Sequence, residues 1–231
     1  MPKRHTGRAQ KGSQLHLQNL VNEKPSRLSQ VILNALPSLK TWIGNNPMWV
    51  SPLETENYEE YQDKHFLEKI NCPEFSLQLR ELWPRGGPVW DGLATIIGKD
   101  NSKGVILLEA KSHVGEVISP QYRCKAKSLT SRTKIRTSLD LVKSCLKVDR
   151  EYDWMGDVYQ HANRIAHLCF LRCIAHVPTW LVFLYFLGDK EQNGPESEEG
   201  YQEVLSEVKP KLGLPDRHML SDYIVNVFLQ I

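Results

Sequence analysis

The chain has 231 residues, 41% hydrophobic and 24% charged, with a formal net charge of +2, proportions that suit a soluble globular protein of one large or two small domains. No apolar run approaches the roughly 18 residues of a membrane span, the longest being TWLVFLYFLG at 179–188. The basic N-terminus MPKRHTGRAQKGSQ lacks the apolar core of a secretory signal, so the expected location is the cytoplasm.

The small net charge hides a partition. Residues 1–30 carry six Lys/Arg against one acid, residues 121–147 carry eight against the single Asp140, and residues 189–216 carry eight acids against three bases. Such separation fits either a polyanion-facing side or solvated basic helices. The five cysteines form no C-x-x-C pair and suit reduced thiols better than a disulfide framework. Cys169, Cys173 and His176 fall at i, i+4 and i+7, a spacing read as small residues on a packed helix in preference to a zinc site.

In chain order, residues 1–25 read as a flexible basic arm and 26–231 as one domain. Ser26 is placed to cap a helix carrying Leu28, Val31, Ile32 and Ala35 and ending near Pro37. NNPMWVSPLETEN is read as loop, and EEYQDKHFLEKIN (59–71) as a helix with Tyr61, His65 and Glu68 on one side. FSLQLREL, within 74–83, alternates well enough for a first strand. PVWDGLATII (88–97) and GVILLEAKS, from 104, are the arms of a hairpin around the turn GKDNSKG. A basic helical insertion spans about 121–147, and a long helix follows at 157–176. TWLVFLYFLG is a buried strand, 199–209 a helix, and YIVNVFLQI a last strand-like stretch. The expected class is α/β, with a mixed central sheet flanked by helices.

The third strand carries the chemical question. Val105 to Leu108 read as buried on both faces, yet the run ends in Glu109 and Lys111, which share a face with Val105 and Leu107. Buried charges need partners or a purpose. With the hairpin turn centred at residue 101, Asp91 faces Lys111, and Asp91 and Glu109 become diagonal neighbours about 7–8 Å apart at Cβ. Two carboxylates so placed can share a Mg²⁺ (or Mn²⁺), the Ala110 carbonyl can add a ligand, and Lys111 can hold an anion or water. The plain alternative is an Asp91–Lys111 salt bridge with Glu109 half exposed beside it.

These residues resemble the PD-(D/E)XK, or restriction-endonuclease-like, nuclease superfamily, over about residues 59–189. Asp91 matches the aspartate that opens the second core strand, and Glu109-Ala110-Lys111 matches the triplet of the third, with 17 residues between the acids. The resemblance implies a restriction-endonuclease-like core of helix, three strands, helix and strand. It also implies that the two acids hold Mg²⁺ while the lysine orients the attacking water. The supporting acid of the first helix is assigned to Glu68, with Glu60 as rival. Gln160, Asn163, Arg164 and His167 share one face of the long helix. Some members carry Gln-x-x-x-Tyr there, and here only Gln160 carries over, since Arg164 stands in the tyrosine's place. His113 is read as a strand-end residue without a site role. The chain departs from the pattern at Trp90, just before Asp91, and in the long basic stretch after the third strand.

The function expected is therefore a Mg²⁺-dependent phosphodiesterase, most simply a DNA endonuclease of restriction, repair or phage-defence type. Arg132, Lys134 and Arg136 are the candidate phosphate contacts. The alternative is a catalytically inactive protein of this fold that binds nucleic acid or a protein partner. A homodimer or a protein partner is compatible with either. A purely structural protein has only the acidic 189–216 stretch in its favour.

Overall fold

The computed structural model describes residues 6–231. A five-stranded sheet runs through the middle, with β1 Met48–Ser51, β2 Gly92–Ile97, β3 Lys103–Lys111, β4 Thr179–Leu187 and β5 Ile224–Gln230 lying side by side in chain order. β1, β2 and β3 are antiparallel neighbours, whereas β3–β4 and β4–β5 are parallel. Each parallel pair needs a crossover. The first contains α6 (Leu129–Leu146) and α7 (Tyr159–Cys169), and the second contains α8 (Glu199–Leu212).

Helices cover both faces, so the sheet is α/β in the sense its hydrophobic pattern implies. All nine residues of β4 are buried, which explains why TWLVFLYFL is apolar without alternation. One core packs Leu93, Leu107, Phe183 and Tyr185 against α6, α7, α8 and two short helices, α4 (Asp63–Lys69) and α5 (Ser76–Leu82). The other packs Ile106, Leu108, Val182 and Leu184 against α1 (Gly12–Glu23), α2 (Pro25–Ala35) and α3 (Pro37–Trp42). No helix among the described residues is long and apolar enough to cross a membrane.

Several expectations are corrected here. The stretch expected to be an arm holds α1, whose Leu17, Leu20 and Val21 are buried in the second core; residues 1–5 of that stretch lie outside the described residues. The helix expected to start from a Ser26 cap begins at Pro25, with Lys24 at its cap position and no side-chain cap. FSLQLREL is the helix α5 and not a strand. Phe75, Leu79 and Leu82, at i, i+4 and i+7, face the core, while the Leu77 that completes the alternation is 77% exposed. The first strand is instead β1, within the segment read as loop. It is an edge strand of four residues, the setting in which nearby prolines are tolerated. The 59–71 helix shortens to α4, because Tyr61 is taken into a backbone bridge with Trp90. The helix expected to span 157–176 is regular only through Cys169 and continues as a π-helical turn over Phe170–Ile174.

The hairpin register also differs. Gly92 pairs with Leu108 and Leu93 with Leu107, two residues away from the expected Leu93–Glu109 pairing. An even shift preserves which face each side chain occupies. Continued by one residue, the observed register puts Asp91 directly across from Glu109.

Candidate active site

Asp91 sits at a bend just before β2, and Glu109 and Lys111 close the C-terminal end of β3. Together they floor a pocket of about 740 Å³. Glu109 is 2% and Lys111 5% exposed, so their charges must be matched within the protein. Lys111 Nζ donates to Glu109 Oε1 at 2.5 Å and to Gln160 Oε1 at 3.1 Å. The other Glu109 oxygen accepts from Arg164 Nε at 2.7 Å. Gln160 and Arg164 are one turn apart on α7, so a single helix face reaches both charges of the strand.

Arg164 also donates to the Asn163 side chain at 2.8 Å and to the Val89 carbonyl at 3.0 Å, and its guanidinium lies 5.1 Å from the Trp90 ring centre. It thereby ties α7, β3 and the approach to β2 together. That approach, Arg85–Gly86–Gly87–Pro88, is pinned from below. Asp63, at the start of α4, accepts the Gly86 and Gly87 N–H groups at 2.9 and 3.0 Å. Gly86 adopts a φ of +84°, a left-handed conformation that a side chain would strain.

The electrostatics divide the acids. Burial alone would raise the Glu109 pKa, but Arg164 and Lys111 outweigh it and hold the group down to about 2. Asp91 is pushed up to about 7, first by burial and then by repulsion from Glu109. Its Oδ2 accepts the Ala110 N–H at 2.7 Å. Glu60 also lines the pocket and is raised to about 8, chiefly by burial and then by Asp91. Gln14, from α1, donates to Glu60 Oε1 at 2.8 Å.

Among the described residues, no three or more His, Cys, Asp or Glu side chains form a ready-made metal-ligand group; this holds for the Cys169–Cys173–His176 spacing as well. The pocket offers facing carboxylates instead, and Mg²⁺ is commonly bound by one or two carboxylates with waters and phosphate completing its shell. Burial and mutual repulsion disfavour the ionised forms of Asp91 and Glu60, and a cation bound between carboxylates would favour them. The donor set therefore fits a hard divalent cation, with Asp91 and Glu109 as the residues to hold it and Glu60 beside them.

Of the residues singled out from the sequence, Asp91, Glu109, Ala110, Lys111 and Gln160 come together in this pocket. Glu68 does not. It is half exposed and pairs with His65 at 2.9 Å and Lys64 at 3.5 Å on the outer side of α4, so Glu60 is the acid that reaches the site. The Asp91–Lys111 bridge of the plain alternative is not among the ion pairs; Lys111 is held by Glu109. Arg132, Lys134 and Arg136 lie on α6 outside the pocket lining, and Lys134 donates to the Arg80 carbonyl at 2.5 Å. The cations that line it are Arg85, Arg123, Lys125, Lys127 and Arg164, with Lys111. Glu116 lines it too, its carboxylate accepting the Ser112 N–H at 2.6 Å. His113 stands outside the lining, at the cap of the 3₁₀ turn Val114–Glu116. Comparison with protein-family models, curated proteins and solved structures finds no match.

Proposed function

We propose that the chain is a metal-dependent phosphodiesterase that cleaves nucleic acid, DNA in the simplest case, on a restriction-endonuclease-like core of PD-(D/E)XK type. The observation that carries the reading is the convergence of Asp91, Glu109 and Lys111 on one pocket floor, with Gln160 on Lys111. Topology supports it as well. Three antiparallel strands are followed by helices and by a strand parallel to the third, and the core sequence of helix, three strands, helix and strand can be laid on that order. The helix ahead of the first strand brings Gln14 to the pocket in place of an acid. Five free thiols are in keeping with a cytoplasmic setting.

Mg²⁺ or Mn²⁺ at Asp91 and Glu109 would polarise a phosphodiester and lower the pKa of a bound water. Lys111, steered by Glu109 and Gln160, supplies a fixed cation for the attacking water or a phosphate oxygen. Arg164 keeps Glu109 ionised and oriented. Calorimetric titration with Mn²⁺ and a plasmid-cleavage assay, on wild type and Glu109→Gln, test the proposal; wild type that neither binds Mn²⁺ nor cuts nucleic acid refutes it.

A second reading, a non-catalytic binding module of the same fold, draws on one feature. Both Glu109 oxygens are already taken by cations, an ion network complete without a metal. The same titration separates the two.

A further inference from the structure

The segment between the 3₁₀ turn Pro120–Tyr122 and the Ser128 cap of α6 has no regular hydrogen-bonded structure. Its exposure nonetheless alternates. Arg123, Lys125 and Lys127 are exposed, while Cys124 and Ala126 are half-buried against the core. Period two is the signature of extended chain, which sets alternate residues about 6.4–6.8 Å apart on one side. All three cations line the pocket above Asp91 and Glu109. Arg123 is tied to Asp157 at 2.7 Å, whereas Lys125 and Lys127 form no ion pair with a described residue. Two like charges held in line without a counter-charge mark a place for a polyanion.

Shape narrows which polyanion. Glu109 and Lys111 expose almost none of their surface, so a reacting phosphate must descend to them. The pocket around them is lined also by Gln14, by the Gly86–Val89 turn and by the 123–127 segment. A volume of about 740 Å³ lies in the range of small-molecule pockets. A lone strand can bend into it and stretch its phosphates along the lysines. An intact duplex is wider and stiffer and reaches such deep-set groups less readily than a lone strand. Tyr122 lines the same pocket, its ring centre 5.8 Å from Lys111 Nζ, and aromatic rings of this kind are what single-strand sites use for stacking.

We propose that the pocket takes a single nucleic-acid strand, with Lys125 and Lys127 as its phosphate track, and so favours single-stranded or unpaired ends over intact duplex. This rests on the nuclease reading above. The test compares a fluorescent DNA oligonucleotide, its RNA counterpart and the blunt DNA duplex, by anisotropy in EDTA and by cleavage in Mn²⁺. Single strand should bind about tenfold or more tighter than duplex and should be cut first; the RNA arm tells which sugar is preferred. In Lys125→Ala/Lys127→Ala single-strand binding should weaken, and its salt dependence should flatten by about 1.4, two contacts at about 0.7 each. Duplex bound and cut as well as single strand, or an unchanged salt slope in the double variant, overturns this inference and leaves the nuclease reading standing. Wild type that binds no Mn²⁺ and cuts neither form removes the nuclease reading, and this inference with it.

Discussion

Replacing Asp91 by asparagine keeps the oxygen that accepts the Ala110 N–H at 2.7 Å and removes the charge that faces Glu109 and Glu60. Burial and Glu109 hold the Asp91 carboxyl at about 7 in the folded protein, against about 4 in an unfolded chain. A group raised in this way contributes its full stability below the unfolded value and loses it as the pH rises through the folded one. The wild type should therefore lose stability between about pH 4 and pH 7 on account of this residue. Each pH unit in that window is worth at most about 1.4 kcal/mol. The resulting ceiling of about 4 kcal/mol falls to about 1–2 kcal/mol once water at the open side of the pocket screens the charge. For a chain of this size, that is about 2–8 °C in melting temperature. Thermal melts in EDTA across this pH range should show Asp91→Asn above wild type at pH 8, with the two curves meeting near pH 4. Added Mn²⁺ should raise the wild type and leave the variant unmoved. A variant that melts below wild type at pH 8, or an offset that ignores pH, would refute the reasoning.

Glu109→Gln should abolish cleavage and Mn²⁺ binding, and it should also lower stability by about 3–5 kcal/mol, because Lys111 and Arg164 are left buried without their counter-charge; melts and a Mn²⁺ titration check both. Lys111→Met should lose cleavage yet keep its Mn²⁺ affinity, since a nearby ammonium opposes cation binding; a variant that loses both together would contradict the role given to the lysine. Glu60→Gln should weaken Mn²⁺ binding, while Glu68→Gln, on the exposed side of α4, should leave cleavage intact and change stability by no more than about 0.5 kcal/mol; the reverse ranking in the titration would restore Glu68 to the site.

What was legible in the sequence followed from strand geometry. A run buried on both faces that ends in charges two residues apart already places Glu109 and Lys111 together, and a hairpin folded over its Gly/Asn turn brings Asp91 to them even with the register misjudged by two. Gln160 and Arg164 were legible as one helical face, but the partnership of Arg164 with Glu109 was not, because it depends on how α7 crosses the sheet. Elements with weak local signals were misread. β1 is four residues beside prolines, and α5 shows an alternation that its exposed Leu77 breaks only in three dimensions. Glu68 had helical spacing in its favour, whereas Glu60 reaches the pocket from irregular chain just ahead of α4. Arg132 and Arg136 belong to a regular basic helix, whereas Arg123, Lys125 and Lys127, which line the pocket, come from the irregular stretch before it.

β2 stops pairing with β3 at Gly92–Leu108, yet β3 continues to Lys111, its backbone ladder there made with β4 through Glu109–Phe183, Ala110–Leu184 and Lys111–Tyr185. On the β2 side the ladder gives way to side chains: Asp91 accepts the Ala110 N–H, and Arg164 links Glu109 to the Val89 carbonyl. An insertion or deletion in the 98–102 turn would slide β2 along β3 and carry Asp91 away, while Glu109, Lys111 and Arg164 stayed locked to β4 and α7. The join between the two halves of the site thus rests on side chains and not on the sheet ladder, so a change of turn length that moved β2 would undo it while the Glu109 charge cluster kept its own partners.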